Sequence, residues 1–373
     1  MLDELIEMSA TVPGPAVESW KNQGNEVIGL FCSHVPEEII HAAGILPLRI
    51  RATGCTEALW GDVYMSNFSC SFARSCLEFA LDGKYDILDG LVATNSCAQM
   101  HRLYDNWRFN RKIPFIHFLS VPNKSGDSAI AWYKDELTAL RQRLEEHFGI
   151  EITDASIAHS IEVCNETRQL LRELYELRKS ENPQITGFQC HSLVLAASSM
   201  PKEIYNDMLR QSLEEMKSKA PITDYRARLM VIGSSLDDPD FINIIEGLGG
   251  LVVTDSCCFG AGDFWEPVQL EVDVLHSLAK SYLNRPNCPR MMDRHEAMFE
   301  FIKNMVDEFN VDGIIYQRLR YCDLWGGEAL FLENKLKEAN IPFLSIERDH
   351  LVSSTGQIGT RIEALIEMVK GVM

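Results

Sequence analysis

The chain is short of positive charge. Its 35 lysines and arginines face 54 aspartates and glutamates over 373 residues, a formal net charge of −19, and they nowhere form a basic block. Nucleic-acid binding needs a basic stripe that neutralises phosphates and releases counterions, so no nucleic-acid partner is expected. Long apolar runs are missing too, and without one no helix can span a bilayer. The opening MLDELIEMSATVPG has neither the basic start nor the apolar run of an export signal. A cytoplasmic protein without a membrane span is the expectation.

Missing signatures narrow the chemistry further. There is no G-x-x-x-x-G-K-[ST], so any ATP-driven step belongs to another protein. GLGGL follows a predicted helix rather than opening one, and FGAGDF lacks the third glycine, so neither is a dinucleotide fingerprint. The G-x-S-x-G of a hydrolase nucleophile elbow is absent. None of the 11 cysteines forms a C-x-x-C pair, which disfavours zinc ribbons, thioredoxin-like motifs and the cysteine run of bacterial ferredoxins. An odd count without an export signal disfavours a disulfide framework. The thiols are either ligands or small buried hydrophobes.

Apolar residues make up 46% of the chain, enough for substantial cores, and its length suits two domains. Two stretches alternate short apolar runs with helical periodicity, the pattern of parallel α/β units. The first reads EVIGLF, helix PEEIIHAAG, ILPLRI, a helix from about Cys70 to Leu81, ILDGLVAT, a helix from about Gln99 to Trp107, and IPFIHFLSV. The second reads RLMVIG, helix DPDFINIIEGLGG, LVVTDS, helices between Val268 and Asn310, GIIYQR, helix GEALFLENKLKEA, IPFLSIE and a closing helix from about Thr355. Between them Trp132 to Lys219 is charged and helical, without sustained heptads. The expected architecture is two Rossmann-like parallel-sheet domains, residues 1–130 and 223–373, joined by a helical segment over 131–222.

In open α/β sheets, ligands gather beyond the carboxyl ends of the strands. Cys97 follows ILDGLVAT, Cys322 follows GIIYQR at the equivalent place, and Cys70 sits at a predicted helix start, where free N–H groups and the helix dipole favour thiolate. From spacing alone, convergence on one metal centre and plain packing both stay open. Cys76 lies about 120° around the helix from Cys70 and reads as core. Cys164 and Cys190 read as packing residues, and Cys32 and Cys55 flank strand ends near the cleft. Cys257, Cys258 and Cys288 are weaker ligand candidates. His41, three or four residues from Glu37 and Glu38, and Ser33 and His34 beyond EVIGLF are candidate proton-handling residues, although a carboxylate pair stabilising a helix start is the favoured reading of the first group.

Taken together, CSHVPEEIIHAAGILPLRI, NFSCSFARSCLEFALDGKYDILDGLVATNSCAQMHRLYDNWR, TDSCCFGAGDFW, LAKSYLNRPNCPRM and YQRLRYCDLWGGE resemble the benzoyl-CoA reductase and 2-hydroxyacyl-CoA dehydratase family, in its cluster-carrying subunits. TGCTEALWGDVYMSNFSCSFAR and VATNSCAQMHRLYDNWR look closer to the aromatic-ring reductase branch. The resemblance implies a [4Fe-4S] cluster in the interdomain cleft on Cys70, Cys97 and Cys322. It also implies a partner subunit of the same fold, in a heteromer or a homodimer, and an ATP-dependent iron–sulfur activator as electron donor. The implied activity is low-potential reduction of an aromatic acyl-CoA. The alternatives are an (R)-2-hydroxyacyl-CoA dehydratase, a double-cubane [8Fe-9S] protein that reduces small molecules, with Cys258 and Cys288 as extra ligands, and a non-catalytic electron carrier. A void of several hundred Å3 beside Cys97 and Cys322 distinguishes the acyl-CoA enzyme from the carrier. Arg49, Arg51, Arg74 and Arg102 are the candidate groups for CoA phosphates.

Overall fold

The computed structural model describes residues 1–286, 288–351 and 355–371. The first sheet contains β1 (Val27–Leu30), β2 (Leu46–Arg49), β3 (Gly90–Thr94) and β4 (Phe115–Leu119); the second contains β5 (Ala227–Gly233), β6 (Gly250–Cys257), β7 (Gly313–Leu319) and β8 (Phe343–Arg348). Every pairing is parallel, in the orders β2-β1-β3-β4 and β6-β5-β7-β8. The second half therefore repeats the first. Strands β1, β3, β5 and β6 are buried along their whole length, as parallel strands must be when helices cover both faces.

The helices before β5 are α1 (Leu2–Ala10), α2 (Pro15–Asn22), α3 (Glu37–Ala42), α4 (Leu59–Tyr64), α5 (Ser71–Leu81), α6 (Ala98–Asn110), α7 (Asp127–Phe148), α8 (Asp154–Glu176), α9 (Gly187–Ala197) and α10 (Lys202–Lys217). After it come α11 (Asp240–Gly247), α12 (Ala261–Phe264), α13 (Val274–Leu283), α14 (His295–Glu308), α15 (Asp323–Glu338) and α16 (Thr355–Val369). No helix among the described residues is long and apolar enough to cross a membrane.

The middle helices are shared between the sheets. Tyr133, Leu137, Leu140 and Leu144 of α7 cover the first sheet together with Leu275, Leu278 and Tyr282 of α13, which comes from the second half of the chain. Leu193 and Val194 of α9 and Leu209 and Leu213 of α10 pack instead under the second sheet, with Leu2 and Leu5 of α1. The opposite face of the first sheet carries α5 and α6, and that of the second carries α11 and α16. Helix α7 begins at Asp127, earlier than the composition suggests, because Ile130 already faces the sheet. Helix α15 begins at Asp323 rather than at the glycines, since Trp325 is buried and its carbonyl accepts from the Tyr316 hydroxyl.

Strand order reverses between β1 and β3 and again between β5 and β7, and at such switch points the strand-end loops part to leave a crevice. Gly233 closes β5 there with φ +125°, and a Cβ would lie 1.8 Å from the Gln317 carbonyl oxygen, so only glycine fits. A buried polar knot holds the halves together. Asp237 accepts from Ala52 N–H (2.6 Å) and pairs with His350 Nε2 (2.8 Å), while His350 Nδ1 meets Ser75 Oγ (3.0 Å) and His350 N–H donates to Ser71 Oγ (2.9 Å). Burial raises the Asp237 carboxyl, but His350, the Ala52 N–H and Arg51 outweigh it and hold the pKa at about 2.

Candidate metal centre

Three helix N-termini meet in the crevice, and each N-cap is a cysteine: Cys70 for α5, Cys97 for α6 and Cys322 for α15. Met100 N–H donates to Cys97 Sγ (3.4 Å), while the first-turn N–H groups of α5 and of α15, with the Ser234 hydroxyl at Cys322, act against burial on the Cys70 and Cys322 thiols. Burial pushes all three thiols up, Cys97 to about 11, and mutual charge adds to it: Cys70 is raised further by Cys322 and Cys97, and Cys97 by Cys322. Three sulfurs with hydrogen-bond donors and helix dipoles aimed at them, yet unable to ionise together in a dry pocket, suit a cationic centre that deprotonates its ligands. The donor set fits an iron–sulfur cluster, whose potential depends on such N–H contacts. Among the described residues no three His, Cys, Asp or Glu side chains stand close enough to wrap a single ion. An iron–sulfur cluster would not ask for that, because each cysteine would serve a different iron.

Gln99 ties the three loops together. Its Oε1 accepts from Cys70 N–H (3.4 Å) and its Nε2 donates to Asp323 Oδ2 (3.2 Å), so a residue two beyond Cys97 bridges the neighbourhoods of the other two cysteines.

A second trio adjoins the first. Cys32 follows β1, Cys258 follows β6, and Cys288 lies in the turn between α13 and α14. After burial, Cys258 is raised most by the charge of Cys288 and also by Cys32, while Cys288, pushed up to about 12, is raised by Cys32 and Cys97. Cys32 goes the other way. Burial raises it, but a contact with His34 Nδ1 (3.7 Å) and the charges of His34 and Arg49 bring it to about 5. The loops are held from outside the crevice. Asp255, bonded to the Tyr175 hydroxyl, accepts from Ala261 N–H (2.9 Å) and shapes the turn carrying Cys258. Arg290 donates to Pro122 O (2.6 Å) and Asn95 O (3.3 Å), docking the Cys288 turn on the ends of β3 and β4. Cys55, Cys76, Cys164, Cys190 and Cys257 are buried in the surrounding cores.

The other expected site residues are dispersed. Ser33 lines a small cavity beside Cys32, and its carbonyl accepts from Arg285 (2.7 Å); His34 is buried, with Nε2 unpartnered. His41 lies at a different pocket, between Ser160 Oγ (2.8 Å) and Glu203 Oε1 (3.1 Å). Its helix neighbour Glu38 is fully buried, bonded to Arg168 (2.6 Å) and the Tyr282 hydroxyl (2.7 Å). Of the four arginines, Arg51 is buried against Thr53 and Thr11, Arg74 pairs with Asp62, Arg102 is exposed on α6, and Arg49 lies over the Phe259 ring (4.9 Å). A groove of about 820 Å3 is lined by Ser96, Lys124, Trp132, Pro289, Met292 and Leu324 among others, chain neighbours of Cys97, Cys288 and Cys322, although no cysteine itself lines it. On the outer side Phe68, 74% exposed, stacks edge-on against Tyr321, with exposed Trp60 and Val63 nearby on α4.

Two all-parallel sheets with cysteines at the helix starts beyond their strand ends define a class of two-sheet α/β protein. The chain belongs to the family described as 2-hydroxyglutaryl-CoA dehydratase, D-component, which matches residues 32–369. It is 28% identical over 341 residues to a benzoyl-CoA reductase subunit of Thauera aromatica, covering 89% of this chain and 88% of that one. It is 26% identical to the (R)-phenyllactyl-CoA dehydratase beta subunit of Clostridium sporogenes, covering 92% of each chain, and 27% identical to the putative dehydratase subunit YjiM of Escherichia coli, covering 94% of this chain and 93% of that one.

Sequence reasoning missed Gln99, Asp237, His350 and Asp255. Each acts through a partner distant in sequence, and the only local sign is the position of Gln99 in the first turn after Cys97.

Proposed function

We propose that this chain is the cluster-carrying subunit of a low-potential iron–sulfur reductase whose six crevice cysteines hold a double-cubane [8Fe-9S] cluster, Cys70, Cys97 and Cys322 at one half and Cys32, Cys258 and Cys288 at the other. The observation that carries this reading is that Cys97, Cys258 and Cys322, from strand ends of both sheets, pack against the one buried hydrophobic cluster that contains Cys70, with Cys32 at the end of β1 beside Phe259 and Arg49. A single cubane uses three of these thiols and leaves the second trio, with its depressed Cys32, without a task. The bound cluster supplies single electrons at a potential that ordinary cofactors do not reach. The chain's own residues direct N–H groups at the sulfurs, exclude water and set the spacing of the loops. An ATP-dependent iron–sulfur activator delivers the electrons, and a second chain of the same fold completes the assembly. The apolar surface of Trp60, Phe68 and Tyr321, where Phe68 is two residues from Cys70 and Tyr321 adjoins Cys322, suits the docking of either one.

The second reading, an aromatic acyl-CoA reductase or an (R)-2-hydroxyacyl-CoA dehydratase with one [4Fe-4S] cluster, draws support from the groove of about 820 Å3 beside Ser96 and Leu324, which has room for an extended thioester. Iron and sulfide counts on anaerobically purified protein separate the two. About eight irons per chain are expected, falling to about half in Cys32→Ala, Cys258→Ala or Cys288→Ala. About four irons, unchanged in those variants, refutes the six-cysteine reading and favours the acyl-CoA enzyme.

A further inference from the structure

Helix α4 is built inside out. Its small and polar residues hold it to α5: a Cβ on Gly61 would run into the Arg74 carbonyl oxygen, Gly61 N–H donates to Glu78 Oε2 (2.7 Å), and Asp62 pairs with Arg74. The large apolar side chains face the other way. Leu59 and Val63 are 68% and 69% exposed, and Trp60 and Tyr64 form a second exposed row one position on. Residues four apart lie on one side of a helix, so the four make a single face. Phe68, four residues past the helix end, extends this apolar segment and stacks edge-on against exposed Tyr321. Together the six expose roughly 600 Å2, which soluble proteins reserve for contact with a partner.

The backbone gives a second, independent sign. Tyr321 has φ +63°, and the other non-glycine residues with positive φ among the described residues are Asn310 and Asn340, a residue type that the left-handed region tolerates. A bulky side chain there is strained, and asparagine or glycine would make the same turn into Cys322 with less strain. The ring adds nothing to a buried core. It stacks on Phe68, which also stands outside the cores. Strain held at a surface ring next to a site is accounted for by what that ring meets from outside.

We propose that this face docks the one-electron donor, a reduced iron–sulfur protein, and not the second chain of the same fold. The inference rests on the reading that the crevice holds a cluster supplied with electrons by another protein. Position selects the donor. Helix α4 is bonded to α5, whose N-cap is Cys70, and Tyr321 directly precedes Cys322, the N-cap of α15, so a protein covering the face stands over the helix starts of two cysteines of the first trio. Electron transfer slows exponentially with distance, so a donor needs this position and a structural partner does not. Area agrees with position. Roughly 600 Å2 on each side, about 1,200 Å2 in all, is the size of a transient redox encounter, whereas permanent subunits bury about 2,000 Å2 or more. One electron crosses, oxidising the donor and reducing the cluster in the crevice, and no bond is made or broken.

The test uses the anaerobic iron-loaded protein, the ATP-dependent activator with MgATP, and titanium(III) citrate as a small chemical reductant. Val63→Asp sets a charge in the middle of the face at an exposed position, and Tyr321→Asn removes the ring while keeping the turn. Both should raise the activator concentration for half-maximal reduction at least tenfold, with iron content and reduction by titanium(III) citrate unchanged. Tyr321→Asn should melt no lower than the parent, because the strain is relieved, whereas a ring that only supports the fold would lower the melting temperature when lost. Sedimentation velocity without activator should give the same assembly for the parent and both variants. Unchanged activator dependence, a lower melting temperature in Tyr321→Asn with equal slowing by both reductants, or dissociation of the parent's assembly in either variant overturns the proposal, and the last outcome gives the face to the second chain. Full iron with unchanged activator dependence removes this inference alone, while a parent that holds no iron removes the cluster reading and this inference with it.

Discussion

Replacing Gln99 by leucine removes one buried side chain of similar volume and with it both contacts that join the loops of Cys70, Cys97 and Cys322. The hydrogen bonds are long, 3.4 Å to Cys70 N–H and 3.2 Å to Asp323, so each is worth about 0.5–1 kcal/mol. Leaving the buried Cys70 N–H without that acceptor costs about another 1 kcal/mol. The sum, roughly 2 kcal/mol, falls mainly on the arrangement that holds all three sulfurs, because Gln99 contacts both other cysteine loops. A loss of that size is roughly thirtyfold in the equilibrium between loaded and empty protein. Iron and acid-labile sulfide retained after a timed chelator challenge read it directly, with thermal unfolding of the empty chain as the control for general damage. Gln99→Glu keeps an acceptor for Cys70 but sets a carboxylate against Asp323, so it should fall between the parent and Gln99→Leu. Full iron retention and an unchanged resonance in Gln99→Leu would refute the idea that this residue sets the spacing of the loops.

Alanine at Cys70, Cys97 or Cys322 should each strip most of the iron, because cluster binding and local folding are coupled; full iron in all three variants excludes the site. Asp237 has its folded pKa depressed to about 2 from an ordinary value of 3.8, so it contributes stability above pH 4 that is lost as the pH falls from about 4 to 2. Asp237→Asn should lower urea stability at pH 7 by about 2 kcal/mol and flatten that acid limb, and an unchanged limb contradicts the assignment. Gly233→Ala forces a Cβ to within 1.8 Å of the Gln317 carbonyl oxygen and should cost about 3 kcal/mol or more, or prevent folding, as followed by denaturant unfolding; a neutral result would show that β5 can shift. Phe68→Ser combined with Trp60→Ser should slow reduction by the activator about tenfold or more while leaving iron content and reduction by a small chemical reductant unchanged. Equal slowing by both donors points to a damaged cluster pocket rather than a docking face.

The strands and most of the helices are legible because parallel strands buried on both faces write themselves as short runs such as LVAT and RLMVIG, and their helices as amphipathic repeats. Strand ends single out Cys97 and Cys322, and a helix start singles out Cys70, all from periodicity. Helix α4 escapes notice, since Leu59, Trp60 and Val63 face solvent and carry no amphipathic signal, and α7 starts earlier than its charge pattern suggests. His41 and Glu38 illustrate the limit of helix-face reasoning. Their spacing is right, yet Glu38 turns into a fully buried pair with Arg168 of α8, and His41 faces Ser160 of the same helix. No local pattern encodes a partner more than a hundred residues away.

The sequence by itself determined the repeated α/β grammar, the absence of an ATP-binding loop, and the placing of thiols at strand ends, because each depends on periodicity or on spacing within a single element. The tertiary structure alone decided that Cys97, Cys258 and Cys322 pack against the cluster containing Cys70, and that Gln99 spans three loops. The physical reason is that charge and hydrogen bonding act over a few ångströms of space, and the residues concerned lie on loops from both halves of the chain, brought together only when the two sheets face one another across their carboxyl ends.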